Sequence, residues 1–363
     1  MRDLRAIAAL AALALLLTAC SAPASTPTPA GIPSQAPLAE LDLLADPRAH
    51  EGPSTAVLPD AAIVPLDPRP EQVLPATVVS HGNAGDREVV IDDTSRLLGL
   101  DLAGSIAATI QGLGFGDALV GRDVSTTFPG SEDLPLVTTG GHTINAEAVL
   151  ALRPSLVITD GTIGPRDVIE QLREAGIDVV FVDTEPSFAG AEQLARQVAA
   201  ALGAPEGGDR LAADIRDSVA VKAAEIAAIA PADAADRVRI LFLYLRGGAG
   251  VFYLFGEESG ADELIGGLAA VDVAAEIGWT GMRPMTDEAL VAADPDLVLV
   301  MTDGLASAGG VDGLLASHPA LALTTAGQHR RFVDMADGVV LGFGPRTASV
   351  LDALARAVYA PAG

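Results

Sequence analysis

The sequence predicts an α/β fold of two similar lobes with mostly parallel sheets, joined by a long helical segment. Short apolar runs alternate with segments of helix length on both sides of the middle of the chain, as in parallel sheets covered by helices. A pattern of Glu, Ala, Pro, Leu and Val in the first half recurs 141 residues later. Between the halves, a stretch rich in Ala and Leu carries no strand signal and is predicted to be helical.

The N-terminus has the pattern of a bacterial export signal, predicted over residues 1–19. A short basic start precedes an apolar core, residues 6–17, which is too short to cross a membrane comfortably. The following sequence Leu-Thr-Ala-Cys ends at Cys20 and fits a lipobox, in which cleavage leaves a lipidated N-terminal cysteine. The alternative is a buried structural cysteine, and the position directly after a signal core argues against it. We therefore predict a lipid anchor on the extracytoplasmic face of the cell membrane.

Residues 20–75 are predicted to be this lipid anchor followed by a disordered tether. The stretch from Ser21 to Pro37 consists almost entirely of Ser, Ala, Thr and Pro, a composition that buries too little apolar surface to fold. The residues that follow remain rich in Pro, Ala and Asp. The tether is therefore predicted to grade into the first lobe near Pro75.

The N-terminal lobe, residues 76–188, is predicted from alternating strands and helices. Gly114 and Gly176 follow two of the apolar periodic segments and indicate helix C-termini. The predicted strands are residues 87–92, 96–101, 118–122, 134–138, 155–160 and 178–183, and the predicted helices are residues 104–113, 145–152 and 166–175.

A connecting helical segment is predicted over residues 189–233, with a break at residues 203–208 and a long helix after it. The C-terminal lobe, residues 234–363, resumes the alternation. Its predicted elements are residues 238–245, 261–268, 286–293, 296–301, 329–335 and 345–359.

The repeat places Glu147 and Glu288 at equivalent positions of the two lobes. In each copy a capping residue, Asn145 or Thr286, opens a helix, and the glutamate stands in the first turn, where the helix dipole favours an acid. A proline stops each helix. The chain thus contains two copies of one unit, and the cleft between such units is a favoured ligand site.

The charge and the motif content exclude several functions. The net charge is −26 at pH 7, which repels nucleic acids and is otherwise typical of a soluble surface. The sequence contains no Gly-x-Ser-x-Gly elbow, no His-Glu-x-x-His motif, no phosphate-binding loop and no cysteine nucleophile. We therefore predict a binding protein and not an enzyme.

Three residues are candidates for metal ligation and its support. His142 follows two glycines and precedes a helix, so it is expected on a loop at the carboxyl end of a strand, where ligand sites lie in α/β sheets. Tyr244 ends an apolar strand, and Arg246 lies two residues on, so both side chains share one face of an extended strand. The arginine charge would stabilise a phenolate. The alternatives are an exposed loop histidine and a core tyrosine, and Tyr253 is a rival tyrosine.

Over about residues 85–360, the chain resembles the substrate-binding proteins of ABC importers for haem, siderophores and cobalamin. The general motifs are residues 110–114 (IQGLG), 119–122 (LVGR) and 342–346 (GFGPR), together with both Glu–Pro repeats. The chain is more specifically similar to the haem-binding lipoproteins of actinobacterial haem importers. That similarity rests on residues 121–123 (GRD), 125–129 (STTFP), 140–142 (GGH), 164–167 (GPRD) and 244–247 (YLRG).

This resemblance implies two lobes joined by one long rigid helix, with haem b bound as cargo. The haem iron would be held by His142 from the first lobe and Tyr244 from the second, and Arg246 would support the phenolate. The partners implied are the permease and ATPase of an ABC importer. Glu147 and Glu288 would each dock onto arginines of the permease. We expect the protein itself to be a monomer.

A haem cleft also requires apolar surface for the porphyrin and cations for its propionates. Candidates for the apolar surface are Met285 and Met301, with Trp279 and Met282, and candidates for the cations are Arg122, Arg166 and Arg283. Three alternatives stay open: a ferric siderophore or cobalamin as the cargo of the same class of protein, an enzyme such as a haem-modifying protein or a hydrolase, and a purely structural surface lipoprotein.

Overall fold

Two sheets, one in each half of the chain, organise the fold. The computed structural model describes residues 35–59, 61–82, 85–245 and 252–361. The elements named below all lie in one compact unit that begins at Pro37. The predicted signal peptide, Cys20 and Arg246 lie outside the described residues.

Fourteen strands occur in the described ranges. They are β1 (Ser54–Ala56), β2 (Ala76–Gly82), β3 (Gly85–Ile91), β4 (Leu97–Leu100), β5 (Thr138–Thr139), β6 (Thr143–Ile144), β7 (Leu156–Thr159), β8 (Asp178–Phe181), β9 (Arg239–Leu245), β10 (Phe252–Phe255), β11 (Val271–Asp272), β12 (Met282–Pro284), β13 (Leu297–Met301) and β14 (Phe332–Met335).

Fourteen α-helices accompany these strands in the same part of the chain. They are α1 (Ser105–Gly112), α2 (Ala146–Leu152), α3 (Arg166–Glu174), α4 (Phe188–Ala201), α5 (Pro205–Ile229), α6 (Ala261–Gly267), α7 (Val273–Glu276), α8 (Asp287–Ala293), α9 (Thr302–Ser307), α10 (Gly310–Ser317), α11 (Pro319–Ala322), α12 (Thr325–Gln328), α13 (Asp337–Val340) and α14 (Thr347–Tyr359). None of the described helices is both long and apolar enough to cross a membrane.

The first sheet consists of three parallel strands in the order β4-β7-β8. Leu97 pairs with Leu156, which pairs with Asp178, so the three strands begin in register. Every residue of β4 and β7 is buried, as expected for parallel strands covered on both faces. The β2–β3 hairpin packs beside β8 at the edge of this sheet.

The second sheet has the strand order β1-β14-β13-β9-β10-β12 in the described part, with β11 beside the start of β9. The four strands β1, β14, β13 and β9 are parallel to one another. β10 and β12 extend the sheet in antiparallel fashion. The predicted alternation of strands and helices is therefore present in both halves of the chain.

The long helix α5 spans 25 residues, as the composition of this stretch predicts. Pro205 stands in its first turn, where a missing N–H costs nothing. Leu211, Ile215, Val219 and Ile226 are buried along one face. This face packs against α4 and against α14, so the helix belongs to both halves of the core.

Two predicted strands are wrong, because residues 118–122 and 134–137 make only isolated bridges and Thr138 alone belongs to a strand, β5. Leu119 bridges to Leu97, and Arg122 bridges to Leu136. Leu119 and Val137 are buried from a loop, and a short apolar run alone cannot distinguish such a loop from a strand. Of the paired strands β2 and β3, only β3 was predicted, because the one fully buried residue of β2 is the polar Ser80.

The segment of residues 37–75, which we call the strap, corrects the predicted tether. β1 lies within it and pairs in parallel with β14, and Leu38, Ile63 and Leu66 are buried. Arg48 forms an ion pair of 2.8 Å with Asp296. The composition predicts disorder here because it is rich in Pro, Ala and Asp and carries little signal for helices or strands. Its order comes from contacts with residues far along the chain, which a local pattern does not reveal.

The strap crosses from the second sheet to the first lobe. After β1, the N–H of Leu66 donates to the carbonyl of Gly112 at the end of α1, at 2.8 Å. The N–H of Val73 then donates to the carbonyl of Gly203, between α4 and α5, also at 2.8 Å. The strap thus contacts both halves of the fold before β2 begins.

Arg331 fixes the strap to the second sheet. Its side chain is fully buried and donates hydrogen bonds to the carbonyl of Gly52, the hydroxyl of Ser54 and the carbonyls of Ala357 and Val358. These acceptors belong to the strap and to the end of α14. One buried guanidinium, at the residue before β14, therefore joins the strap and the end of α14 to the second sheet.

The structure confirms the predicted capping of the repeated helices. The Asn145 side chain accepts from the N–H of Ala148, and the Thr286 hydroxyl accepts from the N–H of Ala289. Each helix ends on a residue in the left-handed region, Arg153 at φ 46° in α2 and Asp294 at φ 40° in α8. These residues are 141 positions apart, the same offset as the sequence repeat. The two copies therefore share a left-handed backbone conformation at a position where their residue types differ.

Candidate functional site

The carboxyl ends of the parallel strands form the edges at which ligands bind in open α/β sheets. In the first sheet, β4 leads into Asp101 and β7 leads into Asp160. In the second sheet, β13 leads directly into α9, and β14 leads into Ala336 and α13. The loops at these two edges carry the candidate site.

Asp101 and Asp123 fix the loop at the first edge. The Asp123 carboxylate accepts from the N–H of Asp101 at 3.0 Å, and from the N–H and the hydroxyl of Thr126 at 2.8 Å each. The Asp101 carboxylate accepts from two backbone N–H groups at the start of α1, at 2.9 and 3.1 Å. Both carboxylates are buried, so residues 123–127 are held firmly against α1.

This loop meets the second lobe at Gly338, just beyond the end of β14. The Thr127 hydroxyl donates to the carbonyl of Gly338 at 3.4 Å. A Cβ placed on Gly338 would lie 3.0 Å from the carbonyl oxygen of Ser125, so a larger residue would push the two loops apart. The carboxyl edges of the two sheets therefore meet at this contact.

His142 lies at the tip of the β5–β6 hairpin, next to the same loop. Gly140 and Gly141 have φ of 57° and 93°, which glycine adopts without strain. The N–H of Val124 donates to the hydroxyl of Thr138 in β5, which ties the hairpin to the loop. The His142 side chain is exposed, so its imidazole is available to a ligand at this edge.

Tyr244 is the penultimate residue of β9, at the carboxyl edge of the second sheet. It is half-buried and lies directly opposite Tyr253 of β10, with ring centroids 6.5 Å apart. Phe255 packs edge-on against the Tyr244 ring at 6.0 Å. Tyr253 is the rival candidate for the ligand, and the two tyrosines lie side by side. Arg246 lies outside the described residues.

The candidate cleft cations occupy different settings. Arg122 is half-buried, and its Nη1 donates to the carbonyl of Asp123 at 3.3 Å. Its Nε is buried and has no hydrogen-bond partner among the described residues. Arg166 is exposed at the first position of α3, and exposed Arg283 donates to the hydroxyl of Thr280 at 2.7 Å. Arg122 therefore stabilises the loop at the first edge, and Arg166 has an exposed side chain.

The candidate apolar residues are divided between core and surface. Met285 and Met301 are only 8% and 9% exposed and pack in two hydrophobic clusters, so their side chains offer little surface to a ligand. Trp279 is partly buried against the same cluster as Met285, whereas Met282 is 51% exposed on β12. The sequence shows that both methionines are apolar, but it does not show whether an apolar residue lies in the core or in a cleft.

Glu147 and Glu288 are both exposed in the first turns of α2 and α8. Neither forms an ion pair among the described residues. The repeat therefore presents one free carboxylate at the same position of each lobe.

Two arginines near the first edge were not singled out from the sequence. Arg87 on β3 and Arg173 on α3 line, with Arg166, a cavity of about 270 Å³ that we call the basic groove. Arg166, Ile169 and Arg173 follow the i, i+3, i+7 spacing of one helix face, and this spacing could have been read from the sequence. Arg87 could not have been placed there, because it comes from a hairpin far away in the chain.

We expect Asp101→Asn to weaken the dependence of stability on pH. Burial raises the pKa of Asp101, and nearby Asp123 and Asp160 raise it further. Burial also raises the pKa of Asp123. At these two carboxyls the folded state binds more protons than the unfolded state, so their contribution to the stability is greatest at low pH and is lost as the pH rises through the folded-state pKa.

The measurement is urea unfolding at about pH 5 and about pH 8. In the wild type, the free energy of unfolding should be lower at the higher pH by about 1 to 2 kcal/mol. This difference should shrink in Asp101→Asn and persist in Asp117→Asn, which changes an exposed carboxylate. An unchanged difference in Asp101→Asn would show that the buried carboxyl is not its source.

Comparison with known proteins gives consistent matches over most of the chain. A family model described as periplasmic binding protein matches residues 102–338. The uncharacterized ABC transporter substrate-binding lipoprotein YvrC of Bacillus subtilis (strain 168) is 26% identical over 290 residues, which cover 79% of this chain and 87% of YvrC.

Solved structures match the chain at higher identity. The heme binding protein HmuT is 41% identical with a TM-score of 0.79, and the match covers 87% of this chain and 99% of HmuT. HmuT has also been solved with an arginine, a tyrosine or a histidine replaced by alanine. The periplasmic heme-binding protein RhuT from Roseiflexus sp. RS-1 is 37% identical with a TM-score of 0.65, covering 74% of this chain and 98% of RhuT. The predicted α/β fold class is confirmed by these matches.

Proposed function

Because this chain belongs to the periplasmic binding protein family, we propose that it captures haem outside the cytoplasm and passes it to an ABC importer. Family members bind substrates for transport, so the chain is a binding protein and not an enzyme. The observation that carries the haem assignment is the 41% identity to HmuT over 87% of this chain. Haem b is the form that we propose as the cargo.

We propose His142 and Tyr244 as the axial ligands of the haem iron. An exposed imidazole stands at the edge of the first lobe, and a half-buried tyrosine stands at the carboxyl edge of the second sheet. A phenolate favours ferric iron, and Arg246 two residues later would support its charge. The tyrosine and the arginine that were replaced in HmuT are likewise two positions apart.

Titration of the purified protein with hemin tests the proposal. The protein from Pro37 onward forms one compact unit and can be used without its N-terminal segment. We expect a saturable change in the visible spectrum at one haem per chain. The absence of a saturable change would refute the haem assignment. The same preparation would then be tested with a ferric siderophore and with cobalamin, with the fluorescence of Trp279 as the signal.

We further propose that lipid on Cys20 holds a monomeric protein at the outer side of the membrane. The lipoprotein relative and the lipobox support this proposal. Cys20→Ser should move the protein from the membrane fraction to the soluble fraction of cells. Retention of the variant in membranes would mean that another feature anchors the chain.

We expect Glu147→Arg combined with Glu288→Arg to abolish most haem uptake without changing haem binding. Opposite charges across an interface guide docking, and reversing both carboxylates would place like charges against the arginines proposed on the permease. Haem uptake by cells should fall about tenfold or more, because each repelled contact costs about 1 kcal/mol or more.

Glu206→Arg is the matched control for these two substitutions. Glu206 is also an exposed glutamate in the first turn of a helix, but it lies in α5 and outside the repeat. Normal uptake by the double variant, or an equal loss in Glu206→Arg, would contradict docking through the repeated glutamates.

A further inference from the structure

The basic groove lies along the edge of the first sheet, between α3 and the β2–β3 hairpin. Its apolar floor is formed by Ile163, Ile169 and Phe181. Gly82 also lines it, and a Cβ built there would lie 3.7 Å from the Phe181 ring. The groove therefore combines an aromatic and aliphatic floor with charged walls.

The walls of the groove are positive, whereas the whole chain is strongly negative. Arg87, Arg166 and Arg173 line the groove together with one acid, Glu170, in a chain whose net charge is −26. Arg173 pairs with Glu170 at 2.7 Å and lies over the Phe181 ring at 5.2 Å. Arg87 is within electrostatic reach of Asp178. Three arginines and one acid line the groove, so cationic donors are in excess there.

The guanidinium of Arg173 has one N–H group, at Nε, without a hydrogen-bond partner among the described residues. The side chain is 16% exposed, and the Nε atom itself is buried. A buried donor that lacks a partner is costly, and an anionic acceptor is the group that would satisfy it best. The groove is therefore arranged for an anion that approaches the guanidinium.

One end of the groove is lined by a loop that contacts the hairpin carrying His142. The loop of residues 161–165 lines the groove at Gly161 and Ile163 and leads into Arg166. In the same loop, the carbonyl of Gly164 accepts from the N–H of Ile144 at 2.6 Å. Ile144 is two residues beyond His142 in the β5–β6 hairpin. The loop that lines one end of the groove is therefore hydrogen-bonded to the hairpin that carries the imidazole.

We propose that the basic groove binds a carboxylate, and, resting on the proposed function, that this carboxylate is a propionate of the haem. At about 270 Å³ the cavity is smaller than the range of about 300–1,000 Å³ that encloses drug-sized ligands, so it fits a substituent and not a porphyrin. The apolar floor packs against the hydrocarbon arm. The guanidinium groups bind the carboxylate through charge-assisted hydrogen bonds.

The test compares hemin with hemin dimethyl ester, in which both carboxylates are masked. Wild type should bind hemin more tightly than the ester. Arg173→Gln should weaken hemin binding about tenfold and leave ester binding nearly unchanged. Arg87→Gln should do the same without disturbing the contact with Phe181, and Arg173→Lys should recover part of the affinity. Arg216→Gln, which removes an exposed pair with Asp217 on α5, is the matched control.

Several results would overturn the inference. Equal losses for hemin and its ester would mean that the arginines support the fold and not a carboxylate. Free succinate could stabilise wild type but not Arg173→Gln, while wild type binds hemin and the ester equally well. That outcome would assign the groove to a small free carboxylate and not to a haem propionate. If wild type binds neither porphyrin, the haem proposal fails together with this inference. If wild type binds both equally, only this inference fails.

Discussion

Replacing Tyr244 with phenylalanine should weaken hemin binding on the order of 100-fold, equivalent to about 2.7 kcal/mol, and change the visible spectrum of the bound haem. The substitution keeps the ring packed against Phe255 and removes only the hydroxyl that would coordinate iron. A loss of iron ligation with the packing intact should therefore appear in the spectrum as well as in the affinity. Absorption titration with hemin measures both.

Tyr253→Phe is the matched control, because Tyr253 lies directly across the strand pair from Tyr244. We expect this variant to keep the wild-type spectrum. A changed spectrum in Tyr253→Phe together with an unchanged one in Tyr244→Phe would transfer the ligand role to Tyr253. His142→Ala should also alter the spectrum, since it removes the ligand proposed from the other lobe.

Replacing Arg331 with methionine should lower the free energy of unfolding by about 3 to 5 kcal/mol. Burial already lowers the pKa of Arg331 to about 10, which reflects the cost of holding a charge in the interior. The hydrogen bonds to Ser54 and to three carbonyls offset this cost. Methionine would fill much of the space but remove the donors that the carbonyls of Gly52 and Val358 use, whereas the carbonyl of Ala357 would keep the Ser54 hydroxyl.

The measurement is urea unfolding followed by circular dichroism. Arg330→Met provides a control at the adjacent position, since Arg330 is exposed and pairs only with exposed Asp312 in the described structure. We expect that variant to change stability by less than about 1 kcal/mol. Similar losses in the two variants would mean that the strap is not held by Arg331.

The sequence allowed the regular core of each lobe to be predicted, because local periodicity and burial agree there. α5 and β13 are long enough and uniform enough in composition to carry their own signal. β1 is three residues long and pairs with β14 more than two hundred residues later. No local pattern reports such a pairing, and the Pro-rich composition around it points to disorder instead.

Some residues of the candidate site could likewise be predicted from the sequence, and others could not. His142 and Tyr244 could be selected because each stands in a short motif at the end of a strand, and the structure places both at the carboxyl edges. The basic groove could not be predicted as a unit, since Arg87 and Arg173 reach it from different elements. The burial of Met285 and Met301 was also beyond the sequence, because an apolar residue suits a core and a cleft equally well.

The strap gives the molecule a second covalent crossing between its halves, in addition to the α4–α5 segment. Two bodies joined at one point can swing and twist about it in many directions. Two bodies joined at two separated points rotate freely only about the line through both, and other motions must stretch or detach one link. The opening of a cleft between the lobes should therefore be restricted to fewer directions of motion than one link would allow.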